Sequence, residues 1–131
     1  MRGSTAFRLW AAEARRRSGA LAEAAVVEHL RRAGLVIVAT NLHVGHFELD
    51  VVARDGAVVV VVEVRTRGKG AWTRAFGSID GKKRLRLRRA GERLWRHRYA
   101  HDPSVERMRF DAASVTFDEG RARVEYVKAA F

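Results

Sequence analysis

Apolar and polar positions alternate most clearly between residues 47 and 66. Phe47–Ala53 and Ala57–Thr66 are strand-like runs flanking Asp55-Gly56, a dipeptide that favours a tight hairpin turn. The second run holds five consecutive valines, Val58–Val62, as expected of a strand covered on both faces. Upstream, Val26, Val27, Leu30 and Ala33 recur at helical spacing, which predicts a helix from about Ala20 to Ala33 closed by Gly34. A less amphipathic helix, Thr5–Arg17, precedes it, with Ser18-Gly19 expected to interrupt the two. Leu35–Asn41 alternates as a strand entering the sheet, and Leu42–His46 is a loop or a twisted continuation of it. Asp80 is suited to cap a helix running to about His97, with Leu87, Ala90, Gly91, Leu94 and Trp95 facing inward. Glu106–Phe117 and Arg121–Val127, joined by a turn at Asp118–Gly120, form a second hairpin. The order α-α-β-β-β-α-β-β describes one compact α/β domain with a mixed sheet.

Composition adds a partner to this outline. The 131 residues suffice for one domain with its own core, and the absence of cysteine excludes disulfides and thiolate zinc sites. Short apolar runs and no continuous signal-like segment give the expectation of a soluble cytoplasmic protein. The formal charge is +11, from 26 basic and 15 acidic residues, which points to a polyanion, most simply nucleic acid. Only four of the basic residues are lysines. Arginine suits bidentate phosphate contacts, although arginine-biased codon usage gives the same composition. The helix after Asp80 carries nine basic residues against Glu92 alone, a face turned either to phosphates or merely to solvent.

The candidate chemistry lies at the far ends of the first hairpin. With Asp55-Gly56 as its turn, Glu48 stands opposite Glu63 and Asp50 opposite Val61, which puts Glu48, Asp50, Glu63 and Arg65 on one face. Three carboxylates beside a valine core repel one another unless cations compensate them, so a metal site is the first hypothesis. Glu23 lies on or beside the inward stripe of its helix, either as a rim glutamate paired with an arginine or as a carboxylate reaching over the sheet. His43 and His46, with no cysteine or His-Glu-x-x-His motif nearby, suit phosphate contact or solvent better than zinc. Arg67–Gly77 is a basic glycine-rich loop in which Trp72 either stacks on a base or covers the sheet edge. Arg109-Phe110-Asp111 offers an ion pair on the face opposite Phe110.

Asp50, then Glu63-x-Arg65 after a hairpin, with Glu23 upstream, resembles the nuclease core of the restriction-endonuclease-like superfamily. Within it the chain resembles the small bacterial YraN-type family, UPF0102, related to Holliday-junction resolvases. The matching stretches are Gly19–Glu23, Gly34–Asn41, Glu48-Leu49-Asp50, Asp55-Gly56, Val62–Arg67, Lys83 and Arg109–Asp111, together spanning about residues 19–115. The resemblance implies a restriction-endonuclease-like core, a central mixed sheet flanked by helices, over residues 19–131, with residues 1–18 a basic helical extension. It implies a site of Glu23, Asp50, Glu63 and Arg65, with Asp50, Glu63 and Glu23 holding Mg²⁺ or Mn²⁺ and Glu48 in a less defined place.

Arg67, Lys69, Arg74, Lys82, Lys83, Arg84 and Arg88 are the expected nucleic-acid contacts. Phe47 stands where the family usually has glycine, and Arg65 where the superfamily usually has lysine. Arginine can hold phosphorane charge but remains protonated and is a poor base. The implied activity is hydrolysis of DNA phosphodiester bonds, branched recombination or repair intermediates among the substrates. The alternatives are a non-catalytic nucleic-acid-binding protein of the same fold and a structural or partner-binding domain. No membrane partner is expected, and a homodimer is left open.

Overall fold

A computed structural model describes residues 2–67 and 81–131. A long helix, α1 (Arg2–Arg32), leads into strands β1 (Val36–Val44), β2 (Phe47–Asp55) and β3 (Val58–Arg67). Then come helix α2 (Gly81–Leu94), a π-helical turn (Trp95–Tyr99), and strands β4 (Arg107–Asp118) and β5 (Arg121–Val127). The five strands form one sheet in the order β1-β2-β3-β4-β5. β3 and β4 run parallel, and every other neighbouring pair is antiparallel. The sheet is therefore mixed, with helices on both faces, consistent with a restriction-endonuclease-like core.

The valine run explains the layering. Along β3, Val60 and Val62 pack with Ala22, Val26 and Leu30 of α1, while Val59 and Val61 pack with Leu87, Ala90 and Leu94 of α2. A strand with apolar side chains on both faces needs a cover on each, and α1 and α2 provide them. The spacing of the buried α1 residues is that of a single helical row. The ion-pair candidate of β4 is also formed. Asp111, fully buried, accepts from Arg109 Nε at 2.9 Å and Nη2 at 3.0 Å, from the Tyr126 hydroxyl, and from the Ala129 N–H at 2.8 Å. Four donors around one carboxylate satisfy a charge that would otherwise be expensive to bury. The bonds to Asp111 raise the pKa of Arg109, and burial raises that of Tyr126.

Two local expectations change, and one open alternative is decided. Ser18-Gly19 does not interrupt the first helix, which runs unbroken for 31 residues. One glycine costs about 1 kcal/mol against alanine, and the helix-forming residues around it outweigh that. Gly34 does close the helix. At φ +91° it completes a Schellman arrangement, with Leu35 N–H donating to Leu30 C=O at 2.9 Å and Gly34 N–H to Arg31 C=O at 3.0 Å. The continuation at Leu42–Val44 is strand, paired with Phe47–Leu49.

The second change concerns the hairpin. Asp55 pairs with Val58, so the two-residue turn is Gly56-Ala57. Gly56 at φ +57° takes the first turn position, which demands glycine in a type II′ turn. The Asp80 cap and the glycine-rich loop with Lys69, Trp72 and Arg74 lie outside the described residues, as does the side chain of Arg67.

Candidate active site

The β2–β3 ladder ends at Val51↔Val62, and Asp50 and Glu63 stand immediately beyond it. Here the Asp50 side chain takes over from the backbone, with Oδ2 accepting the Val64 N–H at 2.9 Å. Asp50 also shares a hydrogen bond with Glu63. Burial raises the Asp50 pKa from 3.8 to about 7, assisted by the charge of Glu63 and, more weakly, of Glu23, and opposed by the Val64 N–H.

Asp50 is the member common to two groups. On one side, oxygens of Glu23, Glu48 and Asp50 all lie within 4.8 Å of one another. Glu23 reaches this cluster from α1 and accepts from Asn41 Nδ2 at 3.0 Å. Glu48 also lies 4.0 Å from His43 Nε2. The cleft of about 380 Å³ beside the cluster is lined in part by Arg16, Gly19, Asn41 and Thr66. On the other side stands Glu63, 4% exposed, with Lys83 Nζ 2.7 Å and Arg65 Nε 3.5 Å from its Oε1. The acids therefore do not form one flat row. Glu63 is held by cations, and the carboxylate triplet consists of Glu23, Glu48 and Asp50.

The basic residues separate in the same way. Lys83, expected only to touch nucleic acid, is in the site itself. Lys82 and Arg84 are exposed at the start of α2, whereas the Arg88 guanidinium lies 5.4 Å over the Phe110 ring. Arg65 is mostly buried, and its Nε, although close to Glu63, makes no hydrogen bond among the described residues. Ser114 Oγ, on the β4 residue paired with Arg65, is likewise buried without a partner there. Two adjacent orphaned polar atoms are unusual, because a missing bond leaves a desolvation cost of about 1–3 kcal/mol.

Asn41 is the functional candidate that sequence patterns overlook. It adopts φ +50° within β1 while holding Glu23. Asparagine tolerates the left-handed region better than most residues, so an asparagine inside a strand pattern was the available signal. Arg16 and Gly19 were hidden for a different reason, since only an unbroken α1 carries them to the cleft.

A two-faced mixed sheet with acids clustered at the frayed end of its central hairpin defines a nuclease-like α/β protein. Residues 22–115 match the model described as uncharacterised protein family UPF0102. A UPF0102 protein of Sorangium cellulosum is 62% identical over 122 residues, covering 92% of this chain and 85% of the relative. One from Moorella thermoacetica is 39% identical over 119 residues, covering 89% and 97%. One from Ectopseudomonas mendocina is 38% identical over 115 residues, covering 86% and 92%. The chain belongs to the UPF0102 family, YraN-type proteins related to the restriction-endonuclease-like and Holliday-junction-resolvase fold. Among the described residues, no helix is long and apolar enough to cross a membrane.

Proposed function

We propose that this protein is a divalent-metal-dependent endonuclease acting on DNA in the cytoplasm, with branched recombination or repair intermediates among its substrates. The observation that carries this reading is the Glu23–Glu48–Asp50 triplet, joined through the Asp50–Glu63 hydrogen bond to a carboxylate that Lys83 and Arg65 hold. The donor set is all carboxylate oxygen, which suits Mg²⁺ or Mn²⁺ rather than a thiolate metal. The raised pKa of Asp50 fits as well, because a carboxyl kept neutral first by burial and then by the neighbouring Glu63 charge is relieved by a cation. Asp50, Glu23 and Glu48 would hold the ion, with Glu63 next to Asp50. A divalent cation there supplies Lewis-acid polarisation of a phosphoryl oxygen.

The chain's own residues account for the rest of the chemistry. Arg65 presents a donor without a hydrogen-bond partner, suited to charge developing on a phosphorane oxygen. Its guanidinium stays protonated, so it orients and neutralises and does not abstract a proton. Lys83 brings an amine to the position where arginine replaces the superfamily lysine, and Glu63 holds it there. Asn41 fixes Glu23, and the exposed cations of α2 track the phosphate backbone, which positions a duplex without reading its sequence.

Single-turnover cleavage of branched, flapped and linear DNA at saturating Mn²⁺, beside calorimetric metal titration, tests the proposal. Arg65→Ala should lose about 10²-fold or more in rate with metal affinity kept. Arg65→Lys should retain or raise the rate, and Asp50→Asn should lose metal and rate together. Cleavage by Arg65→Ala at the parent rate would remove the role given to Arg65. The second reading is a binding protein that keeps the fold, and the fixed charge of Arg65 favours it. A parent that binds DNA but cuts no substrate, while Arg65→Lys does cut, would establish that second reading.

A further inference from the structure

Along α2, Lys83 is followed at helical spacing by Arg86, Arg89 and Arg93. This row starts at the ion pair with Glu63 and runs about 15 Å along the helix. Its far part walls a groove of about 590 Å³ against the β1–β2 turn, where His46, Phe47 and Val44 form the opposite side and floor. The groove opens at the same end of the sheet as the acids, since Phe47 directly precedes Glu48. The turn comes close to the helix because Gly45 carries no side chain. A Cβ there would stand 2.7 Å from Arg93 Nη1, and the residue sits at φ +61°.

Two properties of this groove need an explanation. Arg86, Arg89 and Arg93 are exposed, and none has a hydrogen bond or ion pair among the described residues. Three like charges in one unpaired row destabilise a helix in isolation. The floor beneath them is apolar, built on Val44, Ala90 and the half-buried ring of Phe47. A simple phosphate track for duplex DNA has no use for an aromatic floor, because duplex bases are stacked away from it. A positive wall over an aromatic platform is how single strands are held, with phosphates on the cations and an unstacked base on the ring.

We propose that the groove between the β1–β2 turn and α2 binds a single-stranded segment of nucleic acid, with a base stacked on Phe47 and its phosphates along Arg86, Arg89 and Arg93. The segment leaves the acid cluster past Lys83 and follows the helix. The proposal rests on the nucleic-acid part of the function above and does not require cleavage. It makes the preferred substrate one with an unpaired flank, such as a flap or a splayed arm.

Fluorescence anisotropy in metal-free buffer tests it, using the full chain with labelled single-stranded DNA, blunt duplex and a flapped duplex. The parent should favour the single strand and the flap over the blunt duplex. Phe47→Leu keeps an apolar side chain in the core and removes the ring. It should weaken single-strand and flap binding about tenfold, change blunt-duplex binding less than about twofold, and leave the salt slope unaltered. Phe47→Trp should restore the parent affinity. Arg86→Gln with Arg89→Gln should weaken every ligand and flatten the salt dependence. Ultraviolet crosslinking should attach a nucleotide to the peptide containing Phe47. Parent-like single-strand binding by Phe47→Leu overturns the proposal, as does displacement of the strand by polyglutamate at equal charge concentration. Duplex binding without single-strand binding overturns this inference alone, loss of all nucleic-acid binding overturns both, and absence of cleavage leaves it standing.

Discussion

Asp50→Asn should make the metal-free protein more stable, and by an amount that depends on pH. In the fold the carboxyl titrates at about 7, against 3.8 in a model compound. Between those values the folded chain keeps a proton that the unfolded chain releases, so stability falls as pH rises through the window and levels off above it. At about 1.4 kcal/mol per pH unit, ionising Asp50 costs on the order of 4 kcal/mol, a value that belongs to the Asp50–Glu63 pair. Asparagine keeps an oxygen for the Val64 N–H and offers Glu63 a donor without titrating.

The variant should therefore gain about 4 kcal/mol at about pH 8, between 1 and 2 kcal/mol near pH 5, and almost nothing below about pH 4. Urea unfolding of both proteins across this range, in chelator, measures the difference directly. Millimolar Mn²⁺ should then close the gap near pH 8, because the ion stabilises only the protein that binds it. Stability curves that run parallel in pH would show that Asp50 ionises freely, and the argument from a buried, crowded carboxyl to a metal centre would fall with it.

Three further outcomes follow from other parts of the molecule. Asp111→Asn leaves Arg109 buried without its carboxylate and should destabilise by about 3–5 kcal/mol, measured by chemical denaturation, with the Glu23–Asp50 site unaffected at low temperature. Gly91→Ala places a Cβ 2.5 Å from Phe110 Cζ, so the Phe110 ring or α2 itself must shift. A loss of about 1–3 kcal/mol is expected in the same assay, in contrast to the gain usual for glycine to alanine in a helix. Affinity for duplex DNA should fall steeply between low and moderate salt, and Lys82, Arg84 and Arg89 replaced together by glutamate should weaken all sequences alike. Binding that is flat in salt would refute the phosphate account.

Local periodicity by itself determined much of this protein. The unbroken valine run of β3 required cover on both faces, and the inward rows of α1 and α2 supplied it. The acids at 48, 50 and 63, the basic helix, and the ordered motifs that mark the family are all legible in the chain. Moving the turn from Asp55-Gly56 to Gly56-Ala57 slides the β2–β3 pairing by two residues, an even number, so facing parity survives where the strands pair while every partner changes. Parity breaks before the acids, where Leu49 packs on the α2 side and Val51 on the α1 side.

Partners were what only the tertiary structure decided. Glu63, expected to hold a metal, goes to Lys83, twenty positions along the chain. Asp50 meets Glu23 and Glu48, because the ladder ends at Val51 and Val62 and frees the side chain beyond it. Arg16 and Gly19 reach the cleft because the helix runs straight through Ser18, and Arg88 is drawn from its row to the Phe110 ring. Spacing tells which face a side chain leaves from, but which neighbour it finds there depends on turn geometry and on how two distant elements cross. Those are settled by packing in three dimensions.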